Sequence, residues 1–337
     1  MPEITEQTQQ NTDREMARKV YRAMLEARIL ETKLSSLYKA GKIVGGVYLG
    51  KGQEAVSGAL GSFLDPETDV FAPLIRDQAG RTAFGEEVID CARTYLGSSL
   101  GPMRGRDGNI HRGRPQQAML AMISHLGAAV SVVTGWLLAR RLQGRLEGAV
   151  GATCIGDGAT STGAFHEGLN AAAVERLPLV VVVANNQFAY STPNDRQFAC
   201  DDLLDRAKGY GVDGHSLDGT DFLECLRVMG NAVARARSGH GPQMVVAKLL
   251  RLTGHGEHDD ASYVPPEMKG SHVGRDCIEV GEQQLIAGGL ATAEEIAGWR
   301  EELGDKVQAA LAAAQQDPKP DPWKEQWEAY SMPLKIH

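Results

Sequence analysis

At 337 residues, with 42% apolar and 23% charged side chains, the chain has the balance of an ordinary soluble globular protein with a sizeable core. Its formal charge of −8 argues against a general nucleic-acid or membrane-surface role, and no apolar run approaches the ~20 residues needed to span a bilayer. Cys91, Cys154, Cys200, Cys225 and Cys277 are scattered without a C-x-x-C pair, the pattern of reduced, buried thiols in a cytoplasmic protein.

The opening stretch, MPEITEQTQQNTDREM, has neither the apolar core of a secretory signal nor the Arg-rich, acid-poor character of a transit peptide. Residues 1–14 are expected to form a flexible tail. Residues 15–40 read as a long amphipathic helix, with Val20, Met24, Leu30, Leu34 and Leu37 on one side. An α/β body follows from about Phe63 to Leu250, within a single domain expected to cover residues 15–337.

The most informative part of that body is Gly156-Asp157-Gly158, separated by residues 159–184 from Asn185-Asn186. Each motif ends an apolar run, Ala149–Ile155 and Leu179–Ala184, and such runs read as fully buried strands. Between them Thr162–Glu175 carries Phe165, Leu169, Ala172 and Ala173 at helical spacing, with Ser161 or Thr162 available as N-cap. Strand, helix and strand make a βαβ unit, which leaves both strand ends on the edge where open α/β sheets bind ligands.

Asp157 and Asn186 offer hard oxygen ligands without a full protein cage. That suits Mg²⁺ completed by substrate phosphates and water. Gly158 allows close backbone approach to a phosphate, and the following helix N-terminus favours its charge. Read separately, GDG is a tight turn and NN a polar loop; together, each after a strand, they point to a magnesium–diphosphate site. The turn lacks G-x-G-x-x-G, because Ser161 stands at the third glycine position, and it lacks the lysine of a P-loop.

Further along, a strand over Gln243–Leu250 leads into a polar Gly- and His-rich loop at 253–275. His255 lies just past that strand on a glycine-flanked loop, where a histidine can shuttle protons near neutral pH. Thr292-Ala-Glu-Glu295 is a capping box opening a helix with the apolar stripe Ile296, Trp299, Leu303, Val307 and Leu311. The Pro-rich stretch 317–322 ends regular structure, and Trp323, Trp327 and Tyr330 are expected to dock a terminal segment.

GDG-x26-NN resembles the thiamin diphosphate signature, and more of the chain agrees in order: Val47–Ala55, Ile75-Arg76-Asp77, Gly105–His111, Phe188–Pro193, and Arg251-Leu-Thr-Gly-His255 with Asp259-Asp260 behind it. Together these resemble the alpha subunit of the decarboxylating component of 2-oxo-acid dehydrogenase complexes, a family with pyruvate, branched-chain and acetoin members. The match covers roughly residues 16–315. The resemblance implies the thiamin-diphosphate-binding α/β fold, a mostly parallel central sheet flanked by helices on both faces. It implies that Asp157, Asn186 and the Phe188 carbonyl ligate Mg²⁺. Gly158 and Ala159 would then offer N–H groups to the diphosphate, with Arg76 as a fixed cation. Ser124 and Leu126 fall where the family's backbone meets the aminopyrimidine, His255 falls at the catalytic histidine, and His111 occupies a histidine position.

Departures from the family pattern are as informative. Tyr48 stands where pyruvate-type chains usually have histidine, at a substrate-facing position. Ile75 replaces a tyrosine that often contacts the diphosphate, which removes a hydrogen bond worth roughly 0.5–1.5 kcal/mol. Gln78 stands where histidine is frequent, and Gly256 replaces the serine that kinases modify in mitochondrial members.

In that family the activating glutamate comes from a separate beta chain. The resemblance therefore implies a heterotetramer of two alpha and two beta chains, acting on a small 2-oxo acid and feeding an acyl group to a lipoyl-bearing acyltransferase. Acetoin cleavage with the same cofactor is the neighbouring enzymatic alternative. A non-catalytic structural paralogue is the alternative from another class, against which Asp157, Asn186, Arg76 and His255 argue. A dinucleotide-binding dehydrogenase fits last, because its glycine fingerprint is missing.

Overall fold

Four consecutive valines, Val180 to Val183, mark a strand with no room for a solvent face, and they lie at the centre of the sheet. The computed structural model describes residues 6–107 and 110–324. The first half contains helices α1 (Glu6–Lys39) and α2 (Glu54–Phe63), strand β1 (Val70–Ala72), then helices α3 (Gln78–Phe84), α4 (Val88–Tyr95) and α5 (Ala128–Leu142). Strand β2 (Gly151–Gly156), helix α6 (Gly163–Val174) and strand β3 (Leu179–Asn185) make the central βαβ unit. A hairpin of β4 (Phe188–Ala189) and β5 (Thr192–Pro193) follows, then α7 (Leu204–Gly209), β6 (Asp213–Asp218), α8 (Phe222–Arg237) and β7 (Gln243–Lys248). The described chain closes with α9 (Pro266–Lys269), α10 (Cys277–Ala287) and α11 (Ala293–Gln316).

The main sheet has five strands in the order β1-β2-β3-β7-β6, every pair parallel. Successive residues of a strand face opposite sides, so both faces of this sheet must find apolar cover. Cys154, Val180, Val182 and Val245 pack on one face, under α1, α2, α8 and α10. Ile155, Val181, Val183 and Val246 pack on the other, under α5, α6 and α7. This is the doubly covered parallel sheet the sequence predicts. Because all five strands run the same way, their carboxyl ends share one edge. Gly156 pairs with Ala184 there, which sets the GDG turn beside the paired asparagines.

The helix boundaries follow their caps. Thr162 accepts the Phe165 N–H and opens α6. Thr292 and Glu295 form the reciprocal capping box that starts α11, so both N-termini lie where the residue pattern places them. Two expectations at the chain ends need correction. Residues 6–14 are the first turns of α1 rather than a tail; they continue the helix from residues 15–39, and Arg14 and Arg18 both donate to the Leu290 carbonyl. After α11 the chain docks through Asp317, which accepts from Arg93 and Ser98, and through Pro320 packed on Gly105. Trp323 is 94% exposed and docks nothing, while Trp327 and Tyr330 lie outside the described residues. Among the described residues, no helix is long and apolar enough to cross a membrane.

Candidate functional site

The carboxyl edge of the sheet opens into a cavity of about 420 Å³. Tyr48, Arg76, Ser124, Leu126, Asp157, Gly158, Ala159, Asn186, Phe188 and His255 all line it, so the topology gathers these ten candidates in one place, while His111 is not among the lining residues. They come from the ends of β2 and β3, from the turns before α2 and α3, and from the loops at 105–127 and 249–264.

Strand β2 delivers Asp157 into a single 3-10 turn, Asp157–Ser161, whose end hands over to α6. One Asp157 oxygen accepts the Gly158 N–H at 2.9 Å and the other accepts Gln197 Nε2 at 3.4 Å. Burial outweighs these two donors and pushes the Asp157 carboxyl up to about 6. Gly158 is required by packing as well as by any ligand: a Cβ there would lie 2.5 Å from the Ala189 methyl carbon.

Strand β3 ends in two asparagines with different jobs. Asn185 is absorbed by the loop itself, its Oδ1 accepting from Asn194 Nδ2 at 2.6 Å. Asn186 faces the cavity. Its Nδ2 donates to Gln53 Oε1 at 3.3 Å, and its Oδ1 is buried with no partner among the described residues. The next residue, Gln187, takes the left-handed conformation at φ 76°, rare for a side chain of this kind. Its amide donates to Asn185 O at 2.9 Å and Leu249 O at 3.3 Å, which helps hold that backbone bend before Phe188. The Phe188 carbonyl accepts Arg251 Nη1 at 3.3 Å and keeps a second lone pair.

These oxygens fit a divalent cation. A buried carboxylate with a raised pKa and an orphaned amide oxygen are both costs that a hard cation would remove. Among the described residues no group of three or more His, Cys, Asp or Glu is placed to hold a metal. The donor set is instead the mixed carboxylate, amide and carbonyl kind that leaves positions for ligand oxygens and water.

Across the cavity, the turn before α3 carries Arg76. Its Nη1 donates to Leu49 O at 2.9 Å and its Nη2 to His255 O at 2.6 Å. Burial, with the Arg251 guanidinium next, lowers Arg76 to about 10. His255 is half-buried, with burial first and then the Arg76 and Arg251 charges holding it down at about 4. Its imidazole is therefore neutral at pH 7, able to accept one hydrogen bond and donate another. Tyr48 meets that ring edge-on at a centroid distance of 5.4 Å, and Tyr190 flanks it at 4.5 Å. The loop is braced by Asp259, which accepts the His255 N–H and the Tyr263 hydroxyl, both at 2.6 Å.

His111 lies between Asp107 and the cavity-lining Ser124, its Nδ1 3.2 Å from the Asp107 carboxylate and its Nε2 on the Ser124 hydroxyl. The Ser124 side chain is thus spoken for, and Leu126 presents an exposed apolar side chain at the rim. Ile75 lines the cavity with an alkyl chain, whereas Gln78 is built into a buried polar cluster with Arg112 and Glu86. Residue-by-residue reading leaves several groups of the site without a role. Gln53, Gln197 and Tyr190 belong to it, and Arg251 braces it by donating to the Phe188, Tyr190 and Thr253 carbonyls. Only their nearness to motifs in the chain marks them, since their functions depend on partners distant in sequence.

A doubly covered parallel sheet with an acidic turn, paired asparagines, a buried arginine and a neutral histidine at one edge is the kind of architecture in which α/β enzymes bind a cofactor. The chain belongs to the dehydrogenase E1 component family, whose sequence model matches residues 21–323. It is 35% identical to the 2-oxoisovalerate dehydrogenase subunit alpha of Bacillus subtilis over 80% of this chain and 78% of that one. It is 32% identical to the alpha subunit of the acetoin:2,6-dichlorophenolindophenol oxidoreductase of Cupriavidus necator, with 92% of each covered. The pyruvate dehydrogenase E1 component subunit alpha of Rhizobium meliloti is 32% identical over 90% of this chain and 86% of its own length.

Proposed function

We propose that this chain is the alpha subunit of a thiamin-diphosphate-dependent 2-oxo-acid dehydrogenase, holding the Mg²⁺-diphosphate end of the cofactor at an interface with a beta subunit. The observation that carries this reading is the Asn186 Oδ1 atom, buried without a partner beside the Asp157 carboxylate and the Phe188 carbonyl. When bound, the cofactor supplies the carbanion that adds to the keto carbon and permits loss of CO₂.

The chain's own residues divide the remaining work. Asp157, Asn186 and the Phe188 carbonyl hold the metal. Arg76 would meet the diphosphate as a desolvated cation, and the Gly158 N–H, which here donates to Asp157, would be a backbone donor for it. Ala159 adds a second backbone donor. Ser124 and Leu126 turn their backbone toward the pyrimidine ring. His255, neutral at pH 7, would donate a hydrogen bond to the substrate's keto oxygen and assist at acyl transfer to the lipoyl disulfide. Tyr48, stacked edge-on against His255, faces the substrate and limits the size of its side chain. The beta subunit supplies the activating glutamate, two alpha and two beta chains assemble, and a lipoyl-bearing acyltransferase receives the acyl group. Five free cysteines, four of them buried, support a cytoplasmic, reducing setting.

Acetoin cleavage is the second reading, favoured by the similarity to the Cupriavidus necator subunit. The test is to reconstitute the chain with the beta chain from its genomic neighbourhood, and to assay pyruvate, branched 2-oxo acids and acetoin with lipoamide as acceptor. Lipoamide reduction with a 2-oxo acid supports the main reading. Turnover of acetoin alone replaces it with the second, and no turnover of any of these makes the chain a non-catalytic paralogue.

A further inference from the structure

Gln53 ends the turn before α2 and reaches the metal-side wall of the cavity, 96% buried, from a segment far from Asn186 in sequence. The turn has little freedom. A Cβ on Gly50 would lie 2.2 Å from the Arg76 carbonyl oxygen, and one on Gly52, at φ 90°, would lie 2.7 Å from Leu252 Cγ. The Gly52 N–H donates to Glu54 Oε2, and the Gln53 N–H to the Gly50 carbonyl, both at 2.8 Å. Gln53 is thus delivered to one place by a backbone clamped between the Arg76 and Leu252 segments.

An asparagine amide can present either an oxygen or an NH₂ group to a neighbour, and only the oxygen can ligate a cation. Nothing in Asn186 itself decides between them, so a partner must. Gln53 Oε1 accepts from Asn186 Nδ2 at 3.3 Å, and this leaves Asn186 Oδ1 facing away from Gln53, buried and unpartnered. Gln53 Nε2 is also buried without a partner among the described residues. A folded chain rarely leaves both ends of such an amide pair unsatisfied unless a further group completes them.

We infer that Gln53 is a positioning residue for the metal site, orienting the Asn186 amide so that its carbonyl oxygen is the atom offered to Mg²⁺. This rests on the cofactor reading above and deepens it. The role requires an acceptor at position 53, not a glutamine as such. Glu at this position keeps the acceptor, whereas an alkyl side chain leaves the Asn186 amide free to turn.

The test is a Mg²⁺ titration by calorimetry on the reconstituted alpha–beta assembly at saturating thiamin diphosphate, with thermal unfolding recorded in parallel. The variants are Gln53→Leu and Gln53→Glu. Gln53→Leu is expected to weaken Mg²⁺ about tenfold with little change in the unfolding midpoint of the metal-free protein, while Gln53→Glu binds Mg²⁺ at least as tightly as the parent. Gln53→Met takes the place of Gln53→Leu if the latter fails to fold. Equal weakening in the Glu and Leu variants would mean that position 53 acts as a donor, and it would overturn the inference. So would unchanged Mg²⁺ affinity in the Leu variant. Absence of Mg²⁺-dependent cofactor binding in the parent is a separate outcome, which removes the cofactor reading and the inference with it.

Discussion

Two buried polar clusters in this molecule are finished to different degrees. In one, Glu86 accepts Arg112 Nε at 2.8 Å, Arg112 Nη2 at 3.0 Å and Gln78 Nε2 at 3.1 Å, with Arg81 at 3.5 Å. These partners overcome burial and hold the Glu86 carboxyl down at about 2. In the other, at the sheet edge, Asn186 Oδ1, Gln53 Nε2 and Gln197 Oε1 have no partners among the described residues, and burial lifts Asp157 to about 6. Closed networks specify a fold. The open one is shaped for something that the chain alone does not contain, and that contrast separates architecture from function here.

Substitutions can sharpen the contrast. The largest effect belongs to the closed cluster. Glu86→Gln leaves Arg81 and Arg112 buried without their shared carboxylate and is expected to cost about 3–5 kcal/mol, read as a lowered denaturant midpoint. The same change should leave cofactor affinity per folded molecule nearly intact. Arg76→Ala reverses the pattern. It removes a charge-assisted contact worth about 1.5–3 kcal/mol from diphosphate binding, read by titration, while the denaturant midpoint moves less than in Glu86→Gln.

The smallest effect lies behind the cavity wall, where Glu31 accepts the Gly50 N–H at 2.8 Å. Burial, with the Glu54 carboxylate second, pushes the Glu31 carboxyl up to about 8. The folded state therefore binds a proton that the unfolded state has released between pH 4.5 and 8, so this group's contribution to stability falls as pH rises through that window. From pH 6 to 7 the loss is at most about 1.4 kcal/mol. Glu31→Gln, neutral throughout, should flatten that slope in thermal unfolding; an unchanged slope would show that Glu31 is already ionised.

The sequence discloses these features unevenly, for physical reasons. Apolar runs without alternation identify β2 and β3, because a strand covered on both faces has no polar positions to interrupt it. Thr162 and the Thr292–Glu295 box place two helix starts, because capping is local chemistry. Asp157 and Asn186 are legible because their motifs end strands whose parallel packing dictates the common edge. The roles of Gln53, Gln197 and Asp259 are not, since their partners lie across turns whose geometry no short pattern encodes. The same holds for Trp323, whose exposure reflects docking by Asp317 and Pro320 instead.

The most direct measurement is a calorimetric titration of thiamin diphosphate into this chain mixed with its beta partner, with and without Mg²⁺, alongside Asp157→Ala. The account predicts tight binding that requires both chains and Mg²⁺ and disappears in the variant. Binding that persists without Mg²⁺ or in Asp157→Ala, or no binding with the partner present, would contradict it.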